Sequence, residues 1–351
     1  MQAIFTKLLL HWHKKDNKRT MPWKGEKDPY KIWLAEIILQ QTRVEQGMPY
    51  YNNFITKYPT IEQLANANDD DVFKLWEGLG YYSRCKNLLF TARYIRDNYK
   101  GIFPNNYDEI IGLKGIGSYT AAAIASFAYN LPHAVVDGNV YRVLARFFNK
   151  NIPIDSLEGK KYFSQLAQEL LPMANASNFN QAIMDFGATI CTPKNPLCTS
   201  CHLQKHCKAF TNKSVLELPV KNKKLLKKHR FFYFFILNID DKIFIEKREA
   251  KDIWQNLHQF ILIEKDEPQE LTKTNINAIM QQHLQNTNFT ISSVSQIFKQ
   301  TLTHQKIEGN FIEINLNKMI EITFSKGFWI NKKNVTNYAF PKFINQYLNK
   351  E

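Results

Sequence analysis

The sequence predicts a multidomain protein, with an all-α part over residues 1–210 and an α+β part over residues 230–351. Three observations predict it. Capping residues and apolar spacing mark a series of helices as far as residue 188. Four of the five cysteines crowd into residues 191–207, at the end of that series. After a basic stretch at 211–229 the texture changes to short β-branched and aromatic runs, FFYFFILNI, KIFIE and FILIE.

Taken in order, Asp28-Pro29 reads as a helix cap with proline at the first helical position, opening PYKIWLAEIILQQT. Further helices fit 44–57, 69–78, 83–99, 118–129, 138–148, 157–171 and 178–188, with Pro, Gly and Asn in the gaps. Residues 211–229 read as a linker, because seven Lys or Arg fall at 213 and across 221–230. Beyond it, FFYFF reads as a buried central strand. A polar helix near 271–286 and strands at 311–316 and 320–324 complete the α+β pattern.

The bulk properties narrow the function. No stretch approaches the ~18 uninterrupted apolar residues of a membrane helix. The first apolar run is broken by His11, Trp12 and His13, and its basic residues follow it, unlike those of a secretory signal. A cytoplasmic protein without membrane contact is expected. The net charge of +14 is uneven: residues 1–230 hold 32 Lys and Arg against 19 Asp and Glu, and the rest hold 14 against 13. A polyanion would be gripped by the first two-thirds of the chain. A basic surface kept for solubility is the plainer alternative.

Cys191, Cys198, Cys201 and Cys207 have the spacing C-x6-C-x2-C-x5-C. Four thiolates so close in sequence can wrap an iron–sulfur cluster or a zinc ion. Cys85, remote from them, reads as a small buried hydrophobe. Farther upstream, Leu113-Lys114-Gly115-Ile116-Gly117-Ser118-Tyr119-Thr120 lies between two helical stretches. Gly115 and Gly117 let the backbone turn tightly, and the N–H groups of the helix opening at Ser118 suit a phosphate oxygen. About twenty residues later comes VVDGNVYRVLAR, in which Asp137 is either a helix cap or a working carboxylate. Glu36 stands in the apolar run LAEIILQ, where burial would raise its pKa toward neutrality.

Together the hairpin, the trailing aspartate and the cysteine spacing resemble the helix–hairpin–helix, endonuclease III-like DNA glycosylases. Pro22-Trp23, DPYKIWLAEIILQQTRVEQ, WEGLGYYSR, NQAIMDFGATICTPKNPLC and LPVK resemble the MutY-type adenine glycosylases in particular. The resemblance runs from residue 20 to 221. It implies a [4Fe–4S] cluster on the four cysteines, and as partner double-stranded DNA carrying adenine opposite 8-oxoguanine or guanine. It also implies a monomer that hydrolyses the N-glycosidic bond of that adenine. Glu36 would protonate the base and then activate water. Asp137 would stabilise the oxocarbenium-like sugar, supported by Tyr119 and Asn139. Gly115, Gly117 and Ser118 would hold a DNA phosphate. Trp23, Gln41 and Gln181 would line the adenine pocket, and Tyr81 would wedge in beside the oxidised guanine. Tyr119 stands where lyase members of the superfamily keep a Schiff-base lysine, so the enzyme would be monofunctional.

The family's last domain is Nudix-like and reads 8-oxoguanine with a Phe-Ser-His tripeptide. Here Leu302-Thr303-His304 occupies that place: Thr303 and His304 keep the hydroxyl and imidazole, and a leucine replaces the aromatic. Otherwise residues 300–306 read as a surface hairpin. Residues 264–290 lack the glutamate-rich metal box of active Nudix hydrolases. Three rivals stand beside this reading. They are a T:G or U:G mismatch glycosylase of the same superfamily, a glycosylase/lyase, and a non-catalytic iron–sulfur DNA-binding protein.

Overall fold

Asp28 accepts from the Tyr30 amide and Pro29 occupies the first turn, so the second helix starts where the sequence caps it. The computed structural model describes residues 1–222, 227–284, 288–322 and 325–349. Two units partition it: Met1–Asn66 with Lys86–Lys223, and Ala67–Cys85 with Lys224–Glu351.

The first unit is helical. In chain order come α1 (Gln2–Lys15), α2 (Pro29–Leu39), α3 (Val44–Lys57) and α4 (Ile61–Asn66); α5 (Asp69–Trp76) belongs to the second unit. Then follow α6 (Ser83–Tyr99), α7 (Tyr107–Gly112), α8 (Ser118–Tyr129), α9 (Gly138–Phe148), α10 (Leu157–Leu170), α11 (Ala176–Thr189) and α12 (Lys208–Thr211). Helix α2 is apolar apart from Lys31 and Glu36 and is buried nearly throughout, as a helix without a polar face must be. It packs on α8, whose Ala121–Ala123 and Ala125 let the two backbones approach. A second core joins Phe5, Leu9 and Trp12 of α1 to Val143 and Phe147 of α9 and to Phe179 and Phe186 of α11. Among the described residues no helix is long and apolar enough to cross a membrane.

Several expectations need correction here. Helix α2 stops at Leu39, and Gln41 turns left-handed with φ +56°. Helices α1, α4 and α7 lie outside the predicted set. Helix α1 has no side-chain cap, and only Phe5, Leu9 and Trp12 are buried on it. Residues 212–222, the first part of the expected linker, pack against the helical unit. Leu218 is buried in the second core, Val215 and Val220 pack against it, and the Ile154 amide donates to Val220 O at 3.1 Å. The apolar residues of VLELPV outweigh the lysines around them. Residues 223–226 of the expected linker lie outside the described residues.

In the second unit, β1 (Lys228–Ile239) is the central strand. It pairs antiparallel with β2 (Lys242–Lys247) and β4 (Ile261–Lys265), and parallel with β7 (Gln305–Leu316). The short β3 (His258–Gln259) pairs with β2. Strands β5 (Phe289–Val294) and β6 (Phe298–Thr301) pair with β7, and β8 (Phe328–Asn331) pairs with β2. The unbroken run FFYFFILNI is explained by burial on both faces. Tyr233, Phe235 and Leu237 meet Ile276 and Met280 of α13 (Lys273–His283). Phe234 points the other way, toward Phe311 and toward Phe343 of α14 (Lys342–Leu348). Residues 320–322 form no strand, and 323–324 and 285–287 lie outside the described residues.

Candidate active site

Three helices bring the two carboxylates together. Glu36 lies in the middle of α2, 6% exposed. Tyr119 is the second residue of α8, and its hydroxyl interacts with the Glu36 carboxyl and lies 3.7 Å from Met184 Sδ of α11. Asp137 is the N-cap of α9: its Oδ1 accepts from the Val140 amide at 2.8 Å, and its Oδ2 from Asn139 Nδ2 at 2.7 Å. Asp137 is therefore both the structural cap and a member of the site.

Burial is the main influence on Glu36 and pushes its pKa up to about 7; the Tyr119 hydroxyl pulls it down and the Asp137 charge pushes it up. Burial also raises Asp137, but there the Val140 and Asn139 hydrogen bonds and the Arg142 charge favour the ionised form. Tyr119 is raised well above its ordinary value, first by burial and then by Glu36. Both carboxyls are thus raised; Glu36 is suited to hold a proton near neutral pH, and only its neighbour has hydrogen bonds and a cation that favour the charged form.

Asn139 is itself held. Its Oδ1 accepts from Arg142 Nη2 at 2.8 Å, and Arg142 also donates to Gly187 O and Cys191 O, each at 2.7 Å. A side chain at Gly187 would put its Cβ 2.7 Å from Asn139 Cβ, so glycine permits α9 and α11 to come this close. Sequence reasoning missed Arg142; its only signal was a cation on an otherwise core-facing helix.

The other expected residues are placed separately. Trp23 is buried, its ring 5.2 Å from Tyr51. Gln181 Nε2 donates to Asp185 at 3.0 Å. Asp185, fully buried, also binds Asn17, Arg19 and Lys24 at 2.8–3.0 Å, and so ties the segment around Trp23 to α11. That hub was also missed. Gln41 is exposed. Gly115 has φ +80° and faces Asn87 so closely that a Cβ would sit 2.7 Å from that residue's Cβ. Gly117 caps α8, and Ser118 is exposed at its first turn. In the second unit Tyr81, with φ +48°, hydrogen-bonds through its hydroxyl to that of Thr303. Thr303 and His304 lie in the turn from β6 to β7, where Leu302 N meets Gln305 O; His304 is exposed.

Cys191, Cys198, Cys201 and Cys207 line one pocket with Val143, Phe147, Leu197, Leu203 and Phe210. The lining includes no imidazole or carboxylate, and its one charged side chain is Arg146. Among the described residues no three His, Cys, Asp or Glu side chains are close enough to share one metal ion. Four thiols lining one pocket, faced by a buried cation, fit a thiolate-bound metal group.

Residues 34–173 match the HhH-GPD superfamily of base excision DNA repair proteins, and residues 232–350 match the NUDIX domain. An adenine DNA glycosylase from Buchnera aphidicola subsp. Baizongia pistaciae is 36% identical over 349 residues, covering 99% of this chain and 96% of that protein. The chain belongs to the adenine DNA glycosylase family. It is thus a DNA glycosylase of base excision repair. The Homo sapiens adenine DNA glycosylase is 39% identical over 216 residues, 59% of this chain and 39% of its own length. Among solved structures, a thermostable thymine-DNA glycosylase superposes with a TM-score of 0.56 at 31% identity, covering 60% of this chain and 97% of its own. An endonuclease III–DNA complex gives 0.52 at 20% identity over 61% of this chain and 98% of its own, a likeness of fold.

Proposed function

We propose that the protein is a monofunctional, monomeric glycosylase that hydrolyses the N-glycosidic bond of adenine paired with 8-oxoguanine or guanine in double-stranded DNA. The observation that carries this is the buried pair of Glu36 and Asp137, both raised by burial, of which Asp137 alone has the Val140 and Asn139 hydrogen bonds and the Arg142 charge that favour its ionised form. Protonated Glu36 donates to the adenine ring and makes it a better leaving group. Ionised Asp137, oriented by Asn139 and the Val140 amide, stabilises the positive charge that develops on the sugar. Glu36, now a carboxylate, takes a proton from the attacking water. Tyr119 offers a hydroxyl and no amine, so it forms no imine with the sugar.

Exposed Gly117 and Ser118 at the start of α8 offer the N–H groups of a helix N-terminus for a phosphate, and the excess of basic residues in 1–230 supplies the long-range attraction. The hydrogen bond between Tyr81 and Thr303 supports a shared role for them beside the opposite base, with His304 next to them. Trp23, Gln41 and Gln181 are assigned to the adenine pocket. The four cysteines hold a [4Fe–4S] cluster. When bound, it supplies a four-point cross-link and a one-electron centre.

The test is single-turnover adenine release from a duplex with one A:8-oxoguanine pair, with alkali used to reveal abasic sites. Cleavage visible only after alkali is expected. In Asp137→Asn the rate should fall by roughly 10²- to 10³-fold while duplex binding persists. A preference for T:G or U:G duplexes would place the chain with the thymine-DNA glycosylases instead. Efficient borohydride trapping on DNA would reverse the monofunctional assignment.

A further inference from the structure

Arg146 of α9 is 2% exposed, although it carries a full charge. Its Nε donates to Leu218 O at 3.0 Å, its Nη1 to Thr192 O at 2.7 Å and its Nη2 to Pro193 O at 3.0 Å. The same Nη1 points at Cys191 Sγ from 3.5 Å, and Cys207 Sγ lies 3.7 Å from the Arg146 carbonyl oxygen. One residue therefore touches the first and the last thiol of the pocket. Its oxygen partners are neutral carbonyls, and among the described residues no carboxylate lines the pocket it faces. A buried cation without a counter-charge is costly. The only acidic groups in that pocket are the four thiols.

Resting on the assignment of a cluster to those thiols, we propose that Arg146 is the cluster's internal counter-ion and N–H···S donor, a positioning residue that raises its reduction potential through Cys191. A positive charge and a hydrogen bond to a ligand sulfur both favour the more electron-rich state of the cluster. Arg146 would also pin the first turn of the loop through Thr192 and Pro193, and the 212–222 segment through Leu218.

The experiment measures reduction potential by protein-film voltammetry on full-length, cluster-loaded wild type, Arg146→Met, Arg146→Lys and Lys194→Ala. Iron and sulfide are assayed first. Arg146→Met is expected to shift negative. Arg146→Lys, which keeps the charge without the planar fork, should shift less. Lys194→Ala should not move, since Lys194 is an exposed cation of the same loop. Wild type that carries zinc would overturn the cluster reading and the proposal with it. Loaded variants with the wild-type potential would overturn the proposal alone. If the Arg146 variants do not load, pulsed EPR of ¹⁵N-arginine-labelled wild type in a paramagnetic state decides. A guanidinium ¹⁵N coupling of the strength of a direct N–H···S contact is expected, stronger than the weak coupling that Arg142 gives from the Cys191 carbonyl, and its absence would refute the N–H···S bond.

Discussion

At Glu36 and Asp137 one functional group is given two proton affinities, and the cause lies in hydrogen-bond supply. Both are raised by burial, but Asp137 receives N–H bonds from Val140 and Asn139, whereas Glu36 has a single phenol. The folded pKa of Glu36 is about 7, above its unfolded value, so the native state retains a proton that the unfolded chain releases first as pH rises. Its stabilising contribution is complete at low pH and is lost as pH climbs through about 7. Glu36→Gln should therefore be more stable than wild type at pH 8.5, by on the order of 3 kcal/mol, with little of that gain at pH 4. Thermal unfolding at the two pH values checks this; a pH-independent difference would mean that Glu36 is not buried as a charge. The same substitution should slow single-turnover base release by roughly 10²- to 10⁴-fold and abolish the fall in rate above neutrality. Both carboxylates were legible in the sequence, one as a charge in an apolar run and the other as a cap. Arg142 and Asp185 were not: beyond one helix-spaced partner each, Asn139 and Gln181, what they bind is backbone or distant chain, of which spacing carries no trace.

The contact between α9 and α11 turns those residues into a site. Arg142 gathers Asn139, Gly187 O and Cys191 O around one guanidinium, so the cap of α9, the end of α11 and the start of the cysteine loop move together. Gly187→Ala would force its Cβ to 2.7 Å from Asn139 Cβ, and the helices must separate to relieve it. We expect a stability loss of roughly 1–3 kcal/mol, the usual range for overpacking. The rate of base release should also fall, with duplex affinity little changed, as measured by denaturant unfolding and single-turnover kinetics. Wild-type rates would show that Asn139 does not depend on this contact. Elements with caps and broad apolar faces, such as α2, α8 and α9, could be read from sequence. Residues 212–222 could not, since their lysines mask three apolar anchors. Strands β5, β6 and β8 were missed too; β5 is mostly solvent-facing, β6 and β8 are only four residues each, and pairing with β7 or β2 is what makes them strands.

Over the whole molecule, the boundary between units does not follow the chain. Residues 67–85 lie within the helical sequence yet belong to the unit built on the sheet. Their bonds show why: Phe340 N and Asn345 Nδ2 donate to Glu77 at 2.8 and 2.9 Å, Lys74 Nζ donates to Tyr338 O at 3.1 Å, and Lys247 pairs with Asp70 at 2.5 Å. Each such bond contributes roughly 0.5–1.5 kcal/mol. A chain ended after residue 222 would keep the Glu36–Asp137 site and the cysteine loop but lose all four. It should still fold, with amide protection retained in α8–α11 and reduced at least about tenfold across 67–85, because local opening follows local stability. Tyr81 lies in that segment, so discrimination between 8-oxoguanine and guanine should weaken by more than the loss of the 302–305 turn alone, as mimicked by Thr303→Ala in the full chain. Hydrogen exchange and paired duplex kinetics make the comparison. Unchanged protection across 67–85 in the shortened chain would show that this segment is held by its sequence neighbours, and that the sheet unit could be removed without disturbing it.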